Sequence, residues 1–272
     1  MQGILIIIAT IYVENSFDKN FHYPWLFIND EPFSCEFVQM TRRLVSGKAT
    51  YGQMHENYGK SQNSLRMESY RRMCRFFSGF FYRHELVTEY DYYWRVEPNT
   101  QRYCDITYDP FTFMRGKNNT YGFTITLHEH ESTIETLWST VRNFSRAHPA
   151  HIHPNNELDF IVEDQKIASL KFFSSQAYGD FFDALDRSGG FFYERWGDAP
   201  VHSVAAPLMV DKAEIHWFYD VGYRHQDYMH CPEPLAEFYA GKCFCNPDQN
   251  VDEKSYSCTK DDGYQNYVFG LP

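Results

Sequence analysis

The chain reads as one mixed α/β domain, and three observations predict it. Segments rich in aromatic and β-branched residues alternate with segments of helical periodicity, which implies a sheet flanked by helices. No internal repeat, low-complexity tract or Pro/Ser/Gly linker divides the chain. Its 272 residues, 43% of them hydrophobic, suffice for a substantial core.

Residues 3–13 (GILIIIATIYV) are the most apolar stretch. Their Ile and Val enrichment predicts a buried strand of a parallel sheet, which reads as a continuous apolar run. The stretch lacks a basic flank and falls short of the roughly 20 residues a membrane helix needs, so it does not span a bilayer; a cropped signal anchor is the alternative. Residues 23–28, 92–96 and 121–127 follow as strands, the first running into the turn signal Asn29-Asp30. A helix is expected over 132–146, capped by Ser132 with Glu135 three residues on and Ile134, Leu137, Trp138 and Val141 at helical spacing. Another is expected over 174–185, burying Ala177, Tyr178, Phe181, Phe182 and Leu185, with Gly189 ending it.

With 25 Lys and Arg against 36 Asp and Glu, the net charge is -11 and no basic block exists, so nucleic acid is not an expected partner. The 18% aromatic content suits carbohydrate or nucleotide handling. Seven cysteines are scattered along the chain without two CxxC pairs. They predict disulfides in an oxidising lumen, with one thiol left over, rather than a cysteine zinc site. The sequons Asn118-Asn119-Thr120 and Asn143-Phe144-Ser145 agree with a secretory location.

Residues 189–203 (GGFFYERWGDAPVHS) mix Phe191, Phe192, Tyr193 and Trp196 with Glu194, Arg195 and Asp198 between glycines. Aromatic faces stack on sugar rings and the charged groups bond hydroxyls or phosphate. The other reading is a buried Glu194–Arg195 ion pair inside an aromatic core. Tyr70, Arg71 and Arg75 lie near an aromatic run; on a helix Arg71 and Arg75 sit one turn apart, facing either a phosphate or solvent while Met73, Phe76 and Phe77 pack inward. Glu97 follows the 92–96 strand and precedes Pro98, where ligands gather at strand ends. It is either a ligand for a metal-bound diphosphate or a salt-bridge partner of Arg95 or Arg102. His225 is read as lying in a turn, followed by His230; for either, an imidazole ligand and a structural hydrogen bond are both open.

These strings together resemble the fungal Golgi α-1,2-mannosyltransferases of glycosyltransferase family 15. The resemblance rests on SYRRMCRFFSGFFYRHEL, YYWRVEP, CDITYDPF, ETLWSTVRNF, LDRSGGFFYERWGDAPVHS, DVGYRH and HCP, and extends from about Phe17 to Cys258. It implies a GT-A-like fold with a central mixed, mostly parallel sheet flanked by helices. It divides the chain into a divergent segment 1–16, a glycosyltransferase domain 17–258 and a tail 259–272. It further implies a Golgi location with a membrane anchor not found in these residues, and Mn²⁺-dependent, retaining transfer of mannose from GDP-mannose to a mannose-terminated glycan in glycoprotein mannosylation and cell-wall mannan synthesis. By the same resemblance Glu97 and His225 hold the metal and nucleotide, Tyr70 lies close to the reacting sugar and Asp198 belongs to the sugar pocket; Arg71 and Glu194 are read as substrate-binding from their own charge and setting.

The chain also departs from the family pattern. Asn99 stands where many members carry a second acid, and Arg72 replaces a common histidine. An opening strand with an arginine is replaced by residues 1–13, and the segment between Lys48 and Tyr70 is short. After Leu158-Asp159-Phe160 the block holding the family's proposed nucleophilic glutamate is missing, leaving Lys166 at its aligned position and Glu163 as a weak surrogate. Such shortenings also resemble skipped exons. An ammonium there opposes the positive charge that develops at the anomeric carbon during retaining transfer. Weak or absent transfer is expected, the alternative function being a non-catalytic partner that binds nucleotide-sugar or mannan.

Overall fold

A computed structural model describes residues 2–54, 66–156, 166–233 and 235–260. In chain order the elements are α1 (Gln2–Ser16), β1 (Trp25–Asn29), α2 (Cys35–Leu44), β2 (Ala49–Gln53), α3 (Arg66–Gly79), β3 (Tyr92–Trp94), β4 (Thr100–Arg102), α4 (Pro110–Gly116), β5 (Tyr121–Phe123) and α5 (Leu137–Ala147). There follow β6 (Lys166–Ser169), α6 (Leu170–Phe173), α7 (Gln176–Ser188), α8 (Gly190–Tyr193), α9 (Asp198–Met209), β7 (Ile215–Trp217), β8 (Tyr223–His225), β9 (Tyr228–His230) and α10 (Leu235–Ala240).

The mixed α/β class holds, with strands in three sheets ordered β1-β2, β3-β6-β5-β7 and β4-β8-β9. Parallel pairing joins β1 to β2 and β5 to β7. The other ladders are antiparallel, so the described sheets are mixed rather than mostly parallel. The main core lies between the four-stranded sheet and α3, α5, α7 and α9, built on Phe76, Phe81, Phe173, Tyr178, Phe181, Phe182, Phe191 and Trp196.

Residues 3–13 correct the expectation of a strand: they belong to helix α1. The reason is visible further along the same element, where Ala9, Thr10, Val13, Glu14 and Phe17 are buried at helical spacing. Val13 and Phe17 pack with Ile106 and Met114, and tertiary burial overrides the β-propensity of Ile and Val. Glu14 and Asp18 both accept from the Trp25 indole, at 3.0 and 2.9 Å, and Glu14 also accepts from the Ser46 amide at 3.0 Å. No helix among the described residues is long and apolar enough to cross a membrane.

The helix expected from Ser132 begins later, at Leu137, after a short 3₁₀ turn over Glu131–Thr133. Its cap comes from elsewhere in the chain: Thr136 donates through its amide, at 3.1 Å, and its hydroxyl to the Glu194 carboxylate. Trp138 is 42% exposed, and the buried face is Leu137, Val141 and Phe144. Helix α7 is capped by Ser175, whose hydroxyl accepts from the Tyr178 amide at 3.2 Å, and ends as expected at Gly189 with φ +80°. Disulfides join Cys104 to Cys243 and Cys231 to Cys245. Cys35, Cys74 and Cys258 take no part in them, so three cysteines rather than one stand outside the bridges.

Candidate functional site

Strand pairing brings Glu97 and His225 together. The turn Pro98-Asn99 reverses the chain after β3, Asn99 taking φ +66°, a left-handed conformation that Asn tolerates better than most residues. That gives position 99 a backbone reason to be Asn. Thr100 then donates its hydroxyl to the Glu97 carbonyl at 2.9 Å and pairs directly across the ladder with His225. The result sets His225 Nε2 3.9 Å from Glu97 Oε2. His225 closes β8 immediately before the hairpin bend at Gln226, rather than lying in the turn itself.

A continuous chain of charge runs inward from this pair. Arg95 bonds Glu97 Oε1 at 2.7 Å and also Asp198 Oδ2, and Lys166 Nζ reaches the same Asp198 oxygen at 3.2 Å. The Arg95 guanidinium carbon lies over the Phe77 ring, 4.0 Å from its centroid. Side chains of Arg95, Asp198 and Lys166 are 10%, 7% and 5% exposed, so the two cations and one acid would be costly apart. Burial raises the Asp198 carboxyl, but Arg95 and then Lys166 outweigh it and hold it far below the usual carboxylate range. Asp198 also opens α9, where a negative charge meets the positive end of the helix. The nearby His202 is buried against the rings of Phe81, Phe173 and Tyr178, and burial, then Lys166, keeps it neutral.

Tyr70 projects above this cluster, 41% exposed, with Arg195 stacked 4.6 Å from its ring centroid. Its hydroxyl contacts the Cys74 thiol, and burial foremost drives both phenol and thiol upward, Cys74 to about 12. The Glu194–Arg195 ion pair is replaced by two separate contacts. Glu194 accepts from the Trp196 indole at 2.7 Å as well as from Thr136, and these bonds overcome burial to lower its pKa. Arg71 donates to the Glu194 carbonyl at 3.1 Å. Arg75 grips Asp186 of α7 through bonds of 2.5 and 2.7 Å instead of standing on an open solvated face. His230 has the structural role, bonded to Asp252 at 2.6 Å and to the Tyr219 carbonyl at 2.9 Å. Glu163 lies outside the described residues.

The Glu97–His225 donor set fits a small divalent cation. Two donors each about 2.1 Å from one ion lie no more than about 4.2 Å apart, which accommodates the observed separation. An oxygen and an imidazole nitrogen suit a transition ion such as Mn²⁺. Arg95 pins one carboxylate oxygen and leaves the other turned to His225. Sequence reasoning undervalued Arg95 and Cys74; a charged residue inside the apolar run YYWRV was the available signal for the first.

The sequence pattern of the glycolipid 2-alpha-mannosyltransferase family matches residues 2–267. The chain is 44% identical over 281 residues to glycolipid 2-alpha-mannosyltransferase 2 of Candida albicans, covering 91% of this chain and 61% of that protein. It is 44% identical over 299 residues to alpha-1,2 mannosyltransferase KTR1 of Saccharomyces cerevisiae, covering 94% and 76%. It thus spans 61–76% of the length of these two relatives. Among solved structures, the Mn/GDP form of core-mannan synthase A from Aspergillus fumigatus superposes with a TM-score of 0.82 at 36% identity, covering 92% of this chain and 77% of that one. Mannosyltransferase Ktr4p of S. cerevisiae in complex with GDP gives 0.85 at 32% identity, covering 95% and 78%. The chain belongs to the glycolipid 2-alpha-mannosyltransferase family, glycosyltransferase family 15.

Proposed function

We propose that this chain acts as a retaining α-1,2-mannosyltransferase, moving mannose from GDP-mannose to a mannose-terminated glycan in glycoprotein mannosylation and cell-wall mannan synthesis in the Golgi. The observation that carries the reading is the approach of Glu97 to His225 at 3.9 Å, in a family of which one solved member, core-mannan synthase A, has an Mn/GDP form. In this reading Glu97 and His225 hold Mn²⁺, which when bound serves as a Lewis acid for the negative charge of the departing diphosphate. Arg95 holds one oxygen of the Glu97 carboxylate and so fixes its orientation. Tyr70, with Arg195 on its face, offers a ring for the sugar, while Arg71 braces the Glu194 backbone beside it. Asp198 supports the pocket from beneath through Arg95.

Mn²⁺-dependent GDP binding tests this directly. His225→Ala and Glu97→Ala should each weaken it by at least about 10-fold, as loss of a metal ligand does. Equal Mn²⁺-dependent affinity in both variants would refute the assignment. A second reading, a nucleotide-sugar binder without transfer, is favoured by Lys166, whose ammonium is directed to Asp198 at the position aligned with the family's glutamate. Incubation with GDP-mannose, Mn²⁺ and methyl α-mannoside separates the two: disaccharide at roughly 1 per second supports the enzyme, and GDP binding without product supports the binder.

A further inference from the structure

Away from the Glu97–His225 pair, a short 3₁₀ turn over Pro149–His151 follows α5, and α7 runs alongside. It brings His148, His151 and Asp180 together, one donor atom of each lying within 4.8 Å of the other two. His151 Nε2 is 2.8 Å from Asp180 Oδ2, and Gln176 donates to the other carboxylate oxygen at 2.7 Å. The two imidazoles stack in parallel, 5.4 Å between centroids and 7° between planes, with the buried Phe144 ring 4.7 Å from His148. We propose that His148, His151 and Asp180 form a second cation site, taking a zinc-class transition ion and stapling the end of α5 to α7.

Two imidazoles and a carboxylate are a common donor set for Zn²⁺, with a fourth position left to water. In the usual divalent series a nitrogen- and oxygen-donor site binds Zn²⁺ more tightly than Mn²⁺, and three donors here against two at Glu97–His225 make this the tighter zinc site. The Gln176 bond orients the carboxylate, as supporting groups do around metal ligands. Partial exposure of His151 and Asp180, 23% and 32%, leaves an entry path. Donors around tetrahedral zinc lie about 3.3 Å apart, so loading opens the 2.8 Å His151–Asp180 contact slightly, within a donor set that already spans no more than 4.8 Å. The His151–Asp180 hydrogen bond is then exchanged for two coordinate bonds, with His151 bound as the neutral imidazole through Nε2 and its proton carried on Nδ1.

Zinc chloride titrated calorimetrically into the full chain tests the proposal, with Co²⁺ absorption reporting coordination number. One equivalent should bind in the micromolar range or tighter. His148→Ala and His151→Ala should each lose more than the 10–100-fold that removal of a supporting partner costs, and Asp180→Asn should lose about 10-fold. Glu97→Ala should bind zinc as well as the parent chain, and His148→Ala should keep Mn²⁺-dependent GDP binding. Should the alanine variants fold poorly, His148→Gln preserves side-chain bulk and should lose zinc while retaining its melting profile. No zinc binding by the parent chain, unchanged affinity in the His148→Ala/His151→Ala pair, or loss of zinc in Glu97→Ala would each overturn the site.

Discussion

Asp198 is the residue on which the buried charges depend. Its Oδ2 answers two cations; among the described residues Lys166 pairs with Asp198, and Arg95 with both Asp198 and Glu97. Asp198→Asn therefore leaves the buried Lys166 without its carboxylate and Arg95 with Glu97 alone, and should destabilise the fold by about 3–5 kcal/mol, the range for breaking a buried ion pair. Lys166→Met removes one excess cation while leaving Arg95–Asp198 intact, and should cost far less. Urea denaturation of both variants at neutral pH checks the order; equal midpoints would contradict it. The pH sign follows from the depressed Asp198 carboxyl. Its contribution is complete above the unfolded value of about 3.9 and is lost as pH falls through the lower folded value, so the gap between parent and Asp198→Asn should narrow in acid.

At the scale of elements, α3 and α7 are held so close that Gly79 has no room for a side chain. A Cβ there would lie 2.1 Å from the Phe182 ring. Gly79→Ala should therefore cost about 1–3 kcal/mol through overpacking, despite the better helix propensity of Ala. Gly116, ending α4, has nothing within 4 Å of such a Cβ, and Gly116→Ala should stabilise by about 0.4–1 kcal/mol. Opposite shifts in thermal midpoint are expected, and shifts of the same sign would undo the packing account. The same elements show how far local pattern reaches. Most of the buried face of α7, Tyr178, Phe181, Phe182 and Leu185, followed from its periodicity, and its end from Gly189, although it runs over Gln176–Ser188 rather than 174–185. Helix α1 did not, because a run of Ile and Val looks alike in strand and helix until Val13 and Phe17 meet Ile106 and Met114. The start of α5 was missed because its cap, Glu194, is 58 residues away.

For the whole molecule, the strand that faces His225 is braced by covalent links. Cys104, two residues past β4, is bridged across 139 residues to Cys243 beyond α10, and Cys231, just past β9, to Cys245. Together they tie the β4-β8-β9 sheet to the chain after α10. Reduction should lower stability by about 2–5 kcal/mol and weaken Mn²⁺-dependent GDP binding, since the Glu97–His225 distance depends on the β4–β8 ladder. Denaturation midpoints and GDP titrations with and without reductant measure both effects. Unaltered values in the reduced protein would remove the bridges from the site's support.

The sequence by itself determined the α/β class, the family and the disulfide-bearing character of the chain, because each is written in local composition or in contiguous motifs. Only the tertiary structure decided that Asp198 sits between Arg95 and Lys166, that Glu194 caps α5, and that His148 and His151 meet Asp180. Those contacts join groups 29 to 103 residues apart in the chain. Partners that distant are chosen by which faces of sheet and helix can be buried together, a property no short stretch of residues carries.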